Sequence, residues 1–241
     1  MKQLTLILGT GAIFLLLSVF SLSCDAQRIT GNGNIQSQMR ETGSFHKIDC
    51  SGTFHVFLTQ GNSTQVKVET DENLLPYVIT EVNGNTLDLK IKKEVSPNPS
   101  KSINVYVTLP ELDALNVSGV CKVQSQNILQ SDHLKINVSG TADMDLKLST
   151  GSLTTSISGT AKMNLQGKAS SSKLSISGSG NVTADDLATD NTEAHISGMG
   201  KLHVNAQKEL TVSVSGMGKV WYKGNPAVNE SISGMGKIIK E

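Results

Sequence analysis

Two neighbouring carboxylates are the sequence's best candidates for acid–base chemistry. Asp143 and Asp145 are two residues apart, so both side chains point to the same side of an extended strand. Enzymes that cleave polysaccharides place two carboxyl groups about the scissile bond. In the next copy of the repeat described below, these positions hold Lys162 and Asn164, so the acids do not continue. We interpret the pair as part of a solvated face and predict no catalytic residues.

The histidines do not form a metal-ligand pattern. His195 and His203 are the pair closest to one another in a single repeat, and both fall on outward positions with no cysteine nearby. Zinc sites need three or four converging ligands, most often His, Cys or carboxylates. We predict surface histidines, no metal ion and no cofactor.

Serine followed by glycine recurs along the chain. The serines are Ser51, Ser118, Ser139, Ser158, Ser177, Ser197, Ser215 and Ser233. Eight near-identical serines cannot all be nucleophiles, and the G-x-S-x-G elbow of serine hydrolases is missing. From the second copy on, the spacings are 21, 19, 19, 20, 18 and 18 residues. A fixed period near 20 predicts a solenoid in which the serines have a structural role.

The last three copies share the pentapeptide Ser-Gly-Met-Gly-Lys. If these copies stack, Met199, Met217 and Met235 align in one outward column, and Lys201, Lys219 and Lys237 align in a second. His203 and Trp221 lie beside the lysines. Exposed methionines often mark surfaces that bind partners, and adjacent lysines repel one another unless an anion binds. One hypothesis is a binding face made of the two columns and Trp221, with acidic glycans or cell-surface components as partners. The alternative is that the repeat was simply copied and that the columns are solvated ladders.

Alternating hydrophobicity specifies how each repeat is built. With the serine as position 0, positions −1, +5 and mostly +7 are apolar, as in Ile176, Val182 and Ala184, whereas position +4 is polar throughout. This period of two is typical of a strand with one buried face. Position +1 is always glycine, and position +3 is small from the second copy on. This predicts inward positions with close backbone approach or unusual φ. The fold class is therefore all-β: a parallel β-helix, or β-solenoid, with coils of about 18–21 residues closed by polar turns such as 149–152 and 169–172.

Residues 28–110 form an all-β segment that precedes the regular repeats. Alternating stretches at 53–60, 65–70, 86–92 and 103–109 predict strands, and Asn83-Gly84-Asn85 predicts a hairpin. We expect one helical turn in 71–76 and an exposed loop at 96–100. The predicted domains are a signal peptide at 1–26, a lead-in with a hairpin insertion at 28–110, and a solenoid at 111–241 that shares its core with the lead-in.

Two of the three cysteines lie in the predicted β-structure, and the third lies in the N-terminal segment. Cys50 falls at position −1 and Cys121 at position +3, both inward. An exported protein permits a disulfide between them, but burial of two free thiols is the interpretation that these positions favour. Cys24 lies in the N-terminal segment and is a candidate for lipidation.

Residues 1–26 have the pattern of a secretory signal peptide. Met1 and Lys2 are followed by an apolar run from Leu4 to Phe20 and by small polar residues before Ala26. Cleavage after Ala26 and lipidation of Cys24 are alternatives, since Ser23-Cys24 resembles the end of a bacterial lipobox. We expect an exported protein in the periplasm, outer membrane or cell surface, with membrane contact only through a lipid on Cys24.

Composition excludes several classes of protein. The 241 residues carry 21 Lys+Arg and 21 Asp+Glu, so no global field attracts nucleic acid. A hydrophobic fraction of 37% at zero net charge is unlike a disordered chain. Aromatics at 4% favour a thin, regular β architecture.

Three features together resemble a known family. They are Gly31-Asn32-Gly33-Asn34 after the signal, the segment DENLLPY at 71–77, and the serial Ile/Val-Ser-Gly units. The chain resembles the putative auto-transporter adhesin head, or GIN domain, of exported Bacteroidetes proteins over residues 30–241. The resemblance implies a β-helix-like fold and an envelope or extracellular location, and it implies no catalytic residues.

The sequence leaves the function open among three classes. The first is a non-enzymatic exported protein that acts in adhesion or binds envelope or host glycans. The alternatives are a carbohydrate-active enzyme on a β-helix scaffold and a purely structural envelope module.

Overall fold

The structure, a computed structural model, describes residues 26–241. The apolar signal segment and Cys24 lie outside the described residues. From residue 26 onward, no helix has the length and apolarity needed to span a bilayer. The described chain consists of strands and one short 3₁₀ helix, Glu72–Tyr77.

Nine short strands precede the regular repeats. They are β1 (Gln27–Thr30), β2 (Ile35–Arg40), β3 (Lys47–Cys50), β4 (Thr53–Gln60), β5 (Gln65–Asp71), β6 (Val78–Asn83), β7 (Thr86–Ile91), β8 (Val95–Asn98) and β9 (Asn104–Leu109). The predicted hairpin is confirmed, since β6 and β7 pair antiparallel across a turn at Gly84. The predicted helical turn is confirmed as the 3₁₀ helix. The predicted loop at 96–100 is partly wrong, because β8 pairs in parallel with β1.

Ten further strands build the repeats. They are β10 (Ala114–Val117), β11 (Val120–Ser125), β12 (Leu129–Val138), β13 (Thr141–Ile157), β14 (Thr160–Ile176), β15 (Ser179–Ile196), β16 (Met199–Val214), β17 (Met217–Lys223), β18 (Ala227–Ile232) and β19 (Met235–Lys240). Equivalent residues of successive repeats pair in parallel register, for example Met144 with Met163 and Met163 with Val182. The predicted β-solenoid is confirmed.

The lead-in begins the stack. β3 pairs in parallel with β10, and β4 pairs with β11, in the same register that later coils use. One hydrophobic cluster runs from Phe45 to Val220. The division of the chain at residue 110 stays a prediction.

Inward and outward positions alternate as the sequence predicts. Position −1 is buried from Cys50 through Val214, and all eight serines of the Ser-Gly units are exposed. Ile232, the equivalent residue of the outermost coil, is 41% exposed because no coil covers it. Burial therefore depends on stacking, which is why a single coil cannot be stable alone.

The glycines at positions +1 and +3 of the repeat are explained by two different reasons. At position +1, a Cβ on Gly159 would clash with the carbonyl oxygen of Gly140 in the preceding coil, so the site faces the neighbouring backbone and not the core. The predicted unusual φ is wrong here, since Gly159 is not among the residues with positive φ. At position +3, a Cβ on Gly200 would lie 2.9 Å from the Ile196 side chain, which already fills that space.

The predicted polar turns between strands are wrong. β13 runs for 17 residues through 149–152, and β14 runs for 17 residues through 169–172. Each corner is held by ladder hydrogen bonds to the neighbouring coil, with Ser149 paired to Lys168 and Thr150 to Ala169. The ladder skips only the pair of Gly151 and Ser170, so the extended backbone continues through these segments in place of the predicted turns.

The two internal cysteines are joined to each other. Cys50 of β3 and Cys121 of β11 form a disulfide, so the predicted free thiols are wrong, although both residues are buried as predicted. Position −1 of one coil and position +3 of the next point into the same narrow core. The sequence showed that each faces inward, but not that they meet.

A buried carboxylate explains the first two family motifs. Asp71 accepts hydrogen bonds from the backbone N–H of Gly33 (2.7 Å) and from the N–H (2.9 Å) and hydroxyl (2.7 Å) of Ser100. Burial alone would raise the pKa of Asp71, but these hydrogen bonds outweigh it and lower the pKa. A Cβ on Gly31 would overlap the carboxylate, so this position also requires glycine. The two motifs therefore hold together the lead-in through the buried Asp71 carboxylate.

A candidate ligand-binding face

The predicted methionine and lysine columns form as the repeat requires. Met199 pairs with Met217 and Met217 with Met235, while Lys201, Lys219 and Lys237 pair in the same order. The three methionines are 54%, 49% and 77% exposed, although methionine usually fills cores. We call these six residues the Met–Lys face.

The Met–Lys face borders a shallow trough that runs along the solenoid axis. The trough has a volume of about 840 Å³ and extends across seven coils, from Val120 to Met235. Its walls are the outward side chains at positions +2 and +4, and its floor is the backbone at position +3, where Gly180, Gly200 and Gly218 add no side chain. The trough is deepest along position +3, because the core side chains beneath this position leave room only for a small residue.

A second hollow continues the trough towards the lead-in. It has a volume of about 730 Å³, shares Val120 and Lys122 with the trough, and is bounded by the loop that carries Lys101. Lysine is the predominant charged residue along the trough and the second hollow, and Asp143 is the single acid among their lining residues. The lining lysines are Lys101, Lys122, Lys162, Lys201 and Lys219. Lys237 follows Lys219 at the end of the lysine column. A chain with no net charge therefore presents one strongly basic stripe.

Trp221 lies next to the lysine column, and one face of its ring is covered. It stacks on His203 with ring centroids 4.5 Å apart and planes 9° apart. In the next coil its register partner is Ile239. The face that stacks on His203 is therefore closed to a ligand.

His203 belongs to a charged cluster that the sequence did not predict. Its Nδ1 lies 3.6 Å from Asp185 and 3.4 Å from Glu241. Lys223 stands 3.8 Å from Asp185 and 4.0 Å from Glu241, so a cation of the protein already faces both carboxylates. The register shift after Ala184 brings Asp185 to this place, and a constant repeat length cannot reveal such a shift.

The other sequence candidates do not converge on a site. Asp143 and Asp145 are exposed on one face, as predicted. Asp143 lies between Lys122 and Lys162 of the two neighbouring coils. Asp145 accepts a hydrogen bond from Asn164 (3.1 Å). His195 pairs with Glu193 at the surface, and this contact, together with one from Lys173, lowers the pKa of Glu193.

An aromatic ladder on the lead-in was also missed. Phe57 stacks on Tyr106 at 4.8 Å, and Lys67 lies 4.2 Å above the Tyr106 ring. Partial burial, followed by the charge of Glu69, raises the pKa of Tyr106. The register of β4, β9 and β5 creates this ladder from residues far apart in sequence.

The family is decided by comparison with known sequences. The profile of the family described as putative auto-transporter adhesin, head GIN domain, matches residues 44–226. The chain belongs to this family. No curated protein matches the sequence.

Solved structures of similar proteins share the fold of this GIN domain. A putative adhesin from Bacteroides fragilis is 27% identical, with a TM-score of 0.82 over 88% of this chain and 100% of the other. A putative lipid binding protein from Parabacteroides distasonis is 24% identical, with a TM-score of 0.73 over 89% and 100%. A putative adhesin from Parabacteroides merdae is 23% identical, with a TM-score of 0.66 over 90% and 100%.

Proposed function

We propose that this GIN-domain protein is an exported, non-catalytic binding protein of the cell envelope or surface. Its ligands are acidic glycans or other anionic cell-surface components, and its binding site is the Met–Lys face. The observation that carries the proposal is the alignment of three exposed methionines and three exposed lysines along one trough. The sequence signal and the adhesin names of the family support the location.

The lysine spacing favours a repeating anion. Strands in a sheet lie about 4.8 Å apart, so neighbouring ammonium groups in the column are held near one another. Two exposed like charges at such a distance repel by about 1 kcal/mol in water, and a bound anion removes this cost. A polymer with regularly spaced carboxylates or sulfates contacts several lysines at once, so weak contacts add up.

The methionine wall favours a second candidate ligand, an anionic lipid. Three thioether side chains form one apolar side of the trough, next to the cationic side. An amphiphile would place its alkyl chain against the methionines and its head group on the lysines. The Parabacteroides distasonis relative is described as a putative lipid binding protein, which is in keeping with this candidate.

Binding should depend on the lysine column and on salt. We expect Lys201→Gln/Lys219→Gln/Lys237→Gln to weaken binding of heparin and polygalacturonate by at least tenfold, since each lost ionic contact contributes about 0.5–1 kcal/mol. Raising the salt concentration should weaken wild-type binding and have less effect on the variant. Titration calorimetry at two salt concentrations measures both effects.

The matched control removes the same charge elsewhere. Lys135, Lys147 and Lys168 are exposed and do not line the trough. Their replacement by Gln should leave affinity close to wild type. Equal losses in the two triple variants would mean that net charge, and not the Met–Lys face, governs binding.

A further inference from the structure

A basic turn lies where the N-terminal segment joins the fold. β1 starts beside the turn that precedes β8, with the N–H of Gln27 donating to the carbonyl oxygen of Glu94 (2.7 Å). Lys92 and Lys93 belong to this turn, and Arg28 follows in β1 opposite Ser96. Arg28, Lys92 and Lys93 are all exposed. We call these three residues the basic turn.

Among the described residues, no ion pair neutralises the charges of the basic turn. Within residues 26–241, none of the three forms a salt bridge, whereas other lysines such as Lys90 and Lys208 do. Glu94 is the one acid of the turn itself, so three positive charges face one negative charge. The cluster serves neither the trough nor the core.

The length of the preceding chain fixes where this cluster must lie. Cys24, the candidate lipidation site, is three residues before Gln27. Three extended residues span at most about 10 Å. A lipid on Cys24 would therefore keep Gln27, which contacts the basic turn, within about 10 Å of the lipidated residue. A basic cluster beside a lipid anchor is the arrangement that strengthens attachment to anionic membranes.

We propose that the basic turn docks on anionic phospholipid head groups. The lead-in then faces the membrane and the last coils point away from it. Trp221 lies six coils beyond Phe57 in the same outward column, about 29 Å further along the stack at about 4.8 Å per coil. The Met–Lys face is thereby held towards the exterior. This inference is compatible with a glycan or no ligand on that face, and lipid binding at that face is tested against it below.

The test uses the chain from residue 24 onward with Cys24→Ser, so that only the protein surface contacts the vesicles. Phosphatidylcholine vesicles with phosphatidylglycerol should bind it in a salt-sensitive way, and vesicles of phosphatidylcholine alone should not. Arg28→Gln/Lys92→Gln/Lys93→Gln should lower the affinity at least tenfold, because each basic residue near an anionic surface contributes about 1 kcal/mol, or roughly fivefold. The variant should keep the wild-type melting temperature, since all three side chains are exposed.

Orientation separates this proposal from lipid binding at the trough. The single tryptophan, Trp221, should not be quenched by brominated phosphatidylcholine in the bound state. Lys135→Gln/Lys147→Gln/Lys168→Gln, with the same charge change outside both basic surfaces, should bind these vesicles like wild type. Absence of vesicle binding, unchanged affinity of the basic-turn variant, or a quenched Trp221 would overturn the proposal. Loss of glycan binding in the lysine-column variant alone would leave it intact.

Discussion

Replacing Ile176 with aspartate should lower the free energy of unfolding by about 3–5 kcal/mol. Ile176 is 2% exposed, and its side chain fills the space above Gly180 and Gly200. A carboxylate there would be buried without a partner, and the core would lose the apolar contacts of the isoleucine. A urea titration followed by circular dichroism measures the loss.

The neighbouring serine supplies the control. Ser177 is exposed, and its hydroxyl makes one hydrogen bond, 3.4 Å long, to the carbonyl oxygen of Ile157. Ser177→Ala should cost less than about 1 kcal/mol. If Ser177→Ala destabilised the protein more than Ile176→Asp, the assignment of inward and outward columns would be wrong.

Removing the disulfide should cost nearly as much. Cys50 and Cys121 are 71 residues apart in sequence, and a crosslink of that length lowers the entropy of the unfolded chain by an amount worth about 4 kcal/mol. It also ties the lead-in to the first regular coil, so its loss should free the two parts to separate early. Cys50→Ser/Cys121→Ser should therefore unfold at a lower urea concentration than wild type.

Thiol labelling checks the same bond chemically. Neither residue should react with a maleimide in the native protein or in denaturant without reductant, and both should react after unfolding and reduction. Labelling of both in denaturant alone would show that the thiols are free.

The sequence predicted the scaffold because stacking imposes the same demand on every coil. Position +1 must be glycine since the preceding backbone occupies the space of a Cβ, and position −1 must be apolar since the next coil covers it. Repetition turns such local demands into a visible period. The corners at 149–152 escaped prediction because Ser, Thr and Gly indicate turns in isolated chains, whereas here the ladder holds them extended.

The sequence did not predict contacts between residues at different positions of the repeat, or between segments outside the repeat. The disulfide joins position −1 of one coil to position +3 of the next, and Asp71 meets Ser100 and Gly33 across the lead-in. The cluster around His203 depends on a register shift at Asp185. Each needs the three-dimensional path of the chain, which no period reveals.

The outward columns show where the candidate site can vary. Along position +4, the side chain changes from His55 through Lys122, Asp143, Lys162 and Asn181 before lysine repeats three times. The core makes no demand on these positions, because they point away from it. Folding therefore does not require the same Met and Lys pair in three successive copies, and ligand binding is the explanation that we propose.

The most direct measurement uses the methionines of the Met–Lys face as their own probes. Met199, Met217 and Met235 are exposed, and Met39 of β2 is 58% exposed on the lead-in, so peroxide should oxidise all four in the free protein. With saturating heparin or polygalacturonate bound, mass spectrometry should show slower sulfoxide formation at Met199, Met217 and Met235 and an unchanged rate at Met39. Equal oxidation of the three methionines with and without the bound polymer, or protection of Met39 instead, would contradict the assignment of this face as the binding site.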